Sequence, residues 1–182
     1  MKVDIYDTDK KYNIIYADPP WHYKTWRDGK GTANNYYPTM KIENIIAMKD
    51  TIQKISDENC VLFLWVTFPC LIEGLRILLE WGFKYKTCGF TWVKRNKVSD
   101  TWFFGLGHWT RANAELCLIA TKGKIKRVSN KVSQIVDTRI EEHSKKPAIV
   151  RDRIVELIGD LPRIELFARQ TADGWDCWGN EI

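Results

Sequence analysis

The stretch Ile14-Ile15-Tyr16-Ala17-Asp18-Pro19-Pro20-Trp21 decides the fold. Its first four residues form an apolar run, and Asp-Pro-Pro stops that run abruptly. Proline fixes its own φ and biases the residue before it away from helix. The octet therefore reads as a buried strand ending in a rigid loop. Two prolines in series hold a carboxylate, two carbonyls without competing local N–H donors and an aromatic face in one stiff arrangement. That arrangement suits the grip of a planar group carrying an exocyclic amine. The carboxylate and a proline carbonyl accept the amine hydrogens while the indole stacks on the ring. Asp-Pro-Pro is also ordinary turn chemistry, so the rest of the chain must decide between the two.

Outward from the octet, apolar runs alternate with amphipathic ones. Residues 61–66 (Val-Leu-Phe-Leu-Trp-Val) are continuously apolar and read as a strand buried on both faces. Residues 70–81 carry Leu71, Leu75, Leu78 and Leu79 at helical spacing, with Gly82 placed to close the helix. Residues 90–93, 116–120, 134–137 and 164–167 read as further strands. Residues 147–158 read as a helix stopped by Gly159. This alternation predicts an α/β domain with a mostly parallel central sheet. Such sheets bind ligands at the carboxyl ends of their strands. Asp18, the Lys94 cluster and Arg169 all fall at such ends and are expected to converge on one crevice. The segments 22–37 and 95–112 are poorly periodic, Gly-bearing and long enough to be functional loops. No internal repeat or domain boundary is visible, so residues 1–182 are expected to form one domain without a separate target-recognition unit.

Composition narrows the classes. The chain has 182 residues, 45% hydrophobic and 28% charged, as in a soluble globular protein with a sizeable core. Its net charge is +5, and the excess is uneven. Residues 122–131 hold Lys122, Lys124, Lys126, Arg127 and Lys131 with no acid, and Lys94-Arg95-Asn96-Lys97 forms a second cluster. Both follow apolar runs and read as loops at strand ends. Either is a solvated surface or a set of phosphate contacts, which would make binding salt-dependent. The nine Trp residues can serve the core or stacking platforms. Five Cys without a C-x-x-C pair, and no apolar leader, fit reduced, buried thiols in a cytoplasmic protein. Three scattered His give no metal-ligand spacing, and no metal is expected. The longest uncharged run, residues 59–72, is too short to span a bilayer and contains Pro69. Neither G-x-G-x-x-G nor a phosphate-binding G-x-x-x-x-G-K-[ST] occurs, which removes support for a dinucleotide enzyme or a nucleotide hydrolase.

Several blocks, in order, carry a family resemblance. They are Asp18-Pro19-Pro20-Trp21, Tyr37-Pro38-Thr39-Met40, Phe63-Leu64-Trp65-Val66-Thr67, Gly107-His108-Trp109 and Glu115-Leu116-Cys117-Leu118. His143-Ser144-Lys145-Lys146-Pro147, Glu165-Leu166-Phe167-Ala168-Arg169 and Trp178-Gly179-Asn180 complete the series. The chain thereby resembles the MT-A70 family of S-adenosylmethionine-dependent N6-adenine methyltransferases over nearly its whole length. The resemblance implies a Rossmann-like class I methyltransferase fold with helices on both faces of the sheet and a permuted order, catalytic block first and cofactor strand last. It implies that Asp18, helped by the Pro19 carbonyl within the rigid Pro19-Pro20 turn, accepts hydrogens of the adenine amine, and that Trp21 walls the flipped base. Asp18 would also lie beside the cofactor's methionine end. Asp4 and Ile5 would flank the cofactor's adenine. Lys146 would meet its carboxylate or the substrate backbone, Glu165 and Phe167 would line its amino-acid and ribose side, and Arg169, Asn180 and Glu181 would hold its ribose hydroxyls.

On the substrate side, Tyr37 would lie on the covering loop, with Lys94 and Trp109 from the second loop region contacting the nucleic acid. The segment after Arg169 reads Gln170-Thr171-Ala172-Asp173-Gly174 and departs from the eukaryotic RNA-methylating members. The chain looks more like the compact bacterial or phage type, for which DNA is the expected substrate. Site choice would come from residues 95–112, from residues 122–131, or from a partner chain in a homodimer or heteromer. The rival readings are the same chemistry on RNA adenine or cytosine N4, a catalytically silent nucleic-acid-binding subunit, and a small-molecule amine methyltransferase.

Overall fold

The octet folds as a strand and a stop. β1 (Tyr12–Ala17) is buried along nearly its whole length and ends at Asp18. The structure, a computed structural model, describes residues 1–22, 39–107, 109–142 and 145–182. After β1 come α1 (Ile42–Ala47), α2 (Lys49–Ile55) and β2 (Ser56–Val66). A 3-10 turn at Phe68–Cys70 leads into α3 (Leu71–Glu80), followed by β3 (Lys84–Arg95), β4 (Glu115–Lys122) and β5 (Ile135–Arg139). Then come α4 (Ile149–Ile158), β6 (Arg163–Leu166) and β7 (Asp176–Trp178).

The strands form one seven-stranded sheet in the order β5-β3-β4-β2-β1-β6-β7. β1 pairs in parallel with β2 and β6, β3 with β5, and β6 with β7. β4 runs antiparallel to both of its neighbours, β2 and β3. The sheet is therefore mostly parallel, as expected, with one reversed strand among the described residues. That reversal fixes the geography. The carboxyl ends of β1, β2, β3, β5, β6 and β7 share one edge with the amino end of β4, where Glu115 stands. The opposite edge collects the strand starts and Lys122.

Side chains alternate across the sheet and build two apolar layers. Ile15 and Ala17 of β1 face a layer with Ile45, Ile52, Ile77 and Leu78 of α1–α3. Ile14 and Tyr16 face a layer with Val150, Ile154 and Ile158 of α4. Helices thus cover both faces, which is why β2 has no polar side along residues 61–66. Each such fully buried aliphatic chain contributes roughly 1.5–3 kcal/mol. Gly82 sits at φ 84 just beyond α3, a left-handed stop that glycine adopts without steric cost. Of the Trp residues, Trp21, Trp65, Trp81, Trp92 and Trp175 belong to the core. Cys60, Cys70, Cys117 and Cys177 are buried free thiols, and burial pushes Cys60 up to about 12.

Several expectations move. Lys94 and Arg95 are the last residues of β3, not loop. Residues 122–131 begin at the end of β4, on the edge opposite Asp18, because β4 is reversed. They cannot share the crevice of Asp18. α1, α2 and β7 are elements the sequence reading did not identify. No helix among the described residues is long and apolar enough to cross a membrane, and no group of His, Cys, Asp and Glu there could hold a metal ion.

Candidate active site

β1 lies where the sheet changes direction of growth. β2 and the strands that follow lie on one side of it, and the chain crosses back to place β6 and β7 on the other. The carboxyl end of such a strand opens into a crevice. That crevice is lined by Asp18, Pro19, Pro20, Trp21, Trp65, Val66, Thr67, Glu115, Lys146 and Arg169. Its cavity volume is about 30 Å³, below the ~300–1,000 Å³ range of ligand pockets, so it is a narrow crevice floor. Of the residues expected at the site, Asp18, Pro19, Pro20, Trp21, Lys146 and Arg169 meet here.

The two prolines hold their turn differently from expectation. The Trp21 N–H donates to the Pro19 carbonyl at 2.9 Å, and the Met40 N–H donates to the Pro20 carbonyl at 2.8 Å. The carbonyls are therefore not free of local donors, because the chain curls back after Pro20 and a parallel bridge joins Trp21 to Met40. Each oxygen keeps a second lone pair. Trp21 is 4% exposed, and its Nε1–H donates to the Trp65 carbonyl at 3.1 Å. It forms a fixed wall anchored in the core rather than an open stacking platform.

Three charged side chains form the floor, and Lys94 backs them. Lys146 Nζ lies 2.8 Å from Asp18 Oδ2 and 3.2 Å from Glu115 Oε2, and Lys94 Nζ lies 2.5 Å from Glu115 Oε1. Lys146 also stands over the Trp65 ring at 5.6 Å. Two ammonium groups thus balance two carboxylates. Burial drives Glu115 upward, yet the two lysines together outweigh it and hold its carboxyl at about 2. Burial acts against the charge on Lys146 as well, but Asp18 and Glu115 overcome this and raise its pKa. Asp18 goes the other way: burial raises its carboxyl above the ordinary range, and Lys146 only partly opposes it. The reason is geometric. Lys146 divides its charge between two carboxylates, and Glu115 repels Asp18 across it. The result is a desolvated carboxylate with strong affinity for hydrogen-bond donors and positive charge.

Beside this floor, the ends of β6 and β7 collect the other expected residues. Phe167 takes φ 61, a left-handed conformation uncommon for a bulky residue, and so turns the chain to bring Arg169 into the crevice. Its ring packs edge-on against Trp178 at 5.4 Å, and Tyr6 also packs edge-on against Trp178 at 5.9 Å. Gly179 passes so close to Ala168 that a Cβ would lie 2.1 Å from the Ala168 oxygen. The amino-terminal segment runs along β7 through the Lys2–Cys177 bridge, with Ile5 buried and the exposed Asp4 accepting the Tyr6 N–H at 3.0 Å. Arg169 Nε approaches Glu181 Oε1 at 3.6 Å, and Asn180 is exposed beside it.

Glu165 is held elsewhere. Arg151 of α4 binds both its oxygens, at 2.6 and 2.9 Å, beneath the sheet edge. Burial raises the Glu165 carboxyl, and Arg151 offsets part of that rise. Its buried charge has the partner it needs, but the partner is a helix residue rather than a lining position in the crevice. Lys94 likewise spends its charge on Glu115 and stands one residue behind the crevice. Trp109 is 94% exposed on the loop between β3 and β4, away from the crevice wall. Tyr37 lies outside the described residues. The sequence reading quoted Glu115 without giving it a role and passed over Arg151. A carboxylate opening an apolar strand was the available signal for Glu115.

A sequence model of the MT-A70 family matches residues 12–181. The chain is 34% identical to the Type II methyltransferase M.MunI of Mycoplasma sp, over 95% of this chain and 78% of that protein. It is 27% identical to an N(6)-adenosine-methyltransferase MT-A70-like protein of Arabidopsis thaliana, over 100% of this chain but 25% of that one. The human N(6)-adenosine-methyltransferase catalytic subunit METTL3 is also 27% identical, over 94% of this chain and 28% of that subunit. The chain thus spans about a quarter of the length of these plant and human relatives.

Proposed function

The chain belongs to the MT-A70 family, and from that premise we propose that it methylates the N6 amine of adenine in DNA, using S-adenosylmethionine, as a single catalytic domain. The observation that carries this reading is the half-buried Asp18 carboxylate, set in a rigid Pro-Pro turn at the sheet edge and held by Lys146. DNA is preferred because the similarity is higher, and covers more of the partner, for the compact Mycoplasma enzyme than for the N(6)-adenosine-methyltransferases. The second reading, the same reaction on RNA adenine, draws its support from those longer relatives.

The residues suit the cofactor chemically. S-adenosylmethionine carries a sulfonium, a ribose diol and an adenine. A desolvated carboxylate, Asp18, favours positive charge beside it. Arg169, Glu181 and Asn180 offer polar groups for the diol, while Ile5, Phe167 and Asp4 offer an apolar surface with an acceptor for the adenine. Lys146 is already engaged by Asp18 and Glu115, so its part is to hold those carboxylates rather than to serve as a separate anion clamp. When bound, the cofactor supplies an electrophilic methyl group.

The chain does the rest by position and charge. The amine's lone pair is delocalised into the purine ring, which makes it a poor nucleophile. Asp18 accepts one amine hydrogen and the second lone pair of the Pro19 carbonyl accepts the other, so the nitrogen is drawn out of the ring plane. Trp21, Trp65 and Val66 exclude water from that point. Positive charge develops on the nitrogen as it reacts, and Asp18, its proton affinity raised by burial, takes the proton. A paired adenine must first leave its stack, at a cost of a few kcal/mol. Tyr37 and Trp109 serve as aromatic surfaces for the displaced strand. The test is isotope transfer from labelled cofactor to matched DNA and RNA oligonucleotides, followed by nucleoside analysis. N6-methyl-deoxyadenosine as the main product supports the reading, and label on cytosine or on RNA alone overturns it.

A further inference from the structure

We propose that the edge of the sheet opposite Asp18 binds the phosphodiester backbone of nucleic acid outside the segment being modified. The inference goes beyond the catalytic reading and rests on it only for the choice of nucleic acid as the polyanion. It starts from where the positive charge lies. Lys97 and Arg111, on the loop after β3, have no carboxylate within 4.0 Å among the described residues, but the cations nearest the crevice are spent: Lys94 on Glu115, Arg95 on Asp137, Lys146 on Asp18 and Arg169 on Glu181. At the opposite edge they are not. Lys84, Lys86, Lys122, Lys124, Lys126 and Arg127 have no carboxylate within 4.0 Å among the described residues.

These six come together through the backbone. Lys122 stands opposite Cys60 of β2, and Lys84, at the start of β3, stands opposite Thr121. The loop that follows β4 is pinned across the strand starts. The Lys124 N–H donates to Asn59 Oδ1 at 2.7 Å, and Asn13 Nδ2 of β1 donates to the Asn59 carbonyl at 3.0 Å. Farther on, the Val128 N–H donates to the Leu157 carbonyl of α4 at 2.8 Å. Lys124, Lys126 and Arg127 are therefore exposed on an anchored loop rather than on a free tail. Glu58 and Asp57 lie on the same edge, each more than 4.0 Å from these cations among the described residues. An open row of uncompensated cations on a fixed loop matches a polyanion with regular charge spacing. β4 spans ~24 Å from Glu115 to Lys122 at ~3.4 Å per residue. A polymer touching both edges must be longer than the segment at the site.

The experiment compares wild type with the triple variant Lys124→Gln, Lys126→Gln, Arg127→Gln. A control triple, Lys41→Gln, Lys49→Gln, Arg76→Gln, removes the same number of exposed charges elsewhere. Binding to a labelled duplex of about 40 base pairs is followed from about 50 to 250 mM salt. The expected result is a salt slope reduced by about 2–3 in the first variant, at ~0.9 per phosphate contact, and unchanged in the control. Turnover on an oligonucleotide of about five residues, ~17 Å at ~3.4 Å per residue, is expected to be equal in all three proteins. An unaltered slope, an equal loss in the control, or a loss confined to phosphatidylserine vesicles overturns the proposal. The slope needs no turnover. A wild type that binds as expected but methylates nothing would refute the catalytic reading and leave this one standing.

Discussion

Replacing Glu115 by Gln removes one charge from the floor of the crevice and keeps its shape. In the native protein Lys146 lies 2.8 Å from Asp18 and 3.2 Å from Glu115. The two carboxylates are therefore no more than about 6 Å apart, and at an effective dielectric of ~20 their repulsion is about 3 kcal/mol, or about 2 pH units on Asp18. In the Gln variant Lys146 turns its whole charge to Asp18, whose pKa must fall. Asp18 works as an ionised acceptor, so methyl transfer rises with pH through its ionisation. The acid limb of kcat/KM is expected to lie above the ordinary Asp range in the wild type and to move down by about 1–2 units in the variant. Carboxyl NMR of Asp18 gives the same shift without turnover. Stability changes in the opposite sense. The Glu115 carboxyl is lowered from 4.5 to about 2 in the folded chain, so it contributes about 3 kcal/mol above pH 4.5, lost as pH falls through 2. The variant should be less stable at neutral pH and lack that acid-dependent component in urea unfolding. A limb that stays in place, or moves up, would refute the coupling of Asp18 to Glu115 through Lys146.

Asp18→Ala should abolish turnover while calorimetry finds cofactor affinity within about tenfold of wild type, since Glu115 still holds Lys146; residual methylation at a tenth of the native rate would contradict the assigned role. Arg151→Ala strands the buried Glu165 and should cost about 3–5 kcal/mol in urea unfolding at neutral pH. Glu165 is raised in the folded chain, so its protonation favours the fold, and the deficit should shrink as pH falls. Gly179→Ala drives a Cβ into the Ala168 backbone and should displace Arg169, weakening cofactor binding more than tenfold with little change in the rest of the sheet.

The sequence foretold the elements whose burial is continuous. α3, α4 and β6 appeared at nearly their observed bounds, and β1 and the second half of β2 were found from their apolar runs, while residues 56–60 of β2, polar at Ser56-Asp57-Glu58-Asn59, were not. α1 and α2 escaped notice because each is under two turns long and they meet at Met48, so neither sustains a period. β7 is three residues, Asp-Cys-Trp, and exists only because β6 offers it an open edge. The first half of β3 is exposed and slips register twice against β4, which hides its pattern. At the site, Asp18 was legible from its own neighbours. Its lysine was not legible as a partner, since Lys146 is 128 residues away in the chain. The role of Glu115 and the pairing of Glu165 with Arg151 depend on which strand ends share an edge, a property of topology rather than of any local window. The same holds for residues 122–131, whose charge and place after a strand were legible and whose edge of the sheet was not.

That place follows from the direction of β4 alone, and it bears on how the molecule meets its substrate. A parallel β4 would carry its basic end to the crevice. The reversed one leaves the crevice charge-balanced and the far side cationic. A polyanion diffusing toward the protein exerts a torque that turns the cationic side to face it, and this orienting pull weakens as salt shortens the Debye length. Capture at that edge, as proposed above, would hold the strand on the side away from Asp18. The rate of capture depends on ionic strength, whereas events within the crevice, shielded and neutral, are largely free of that dependence.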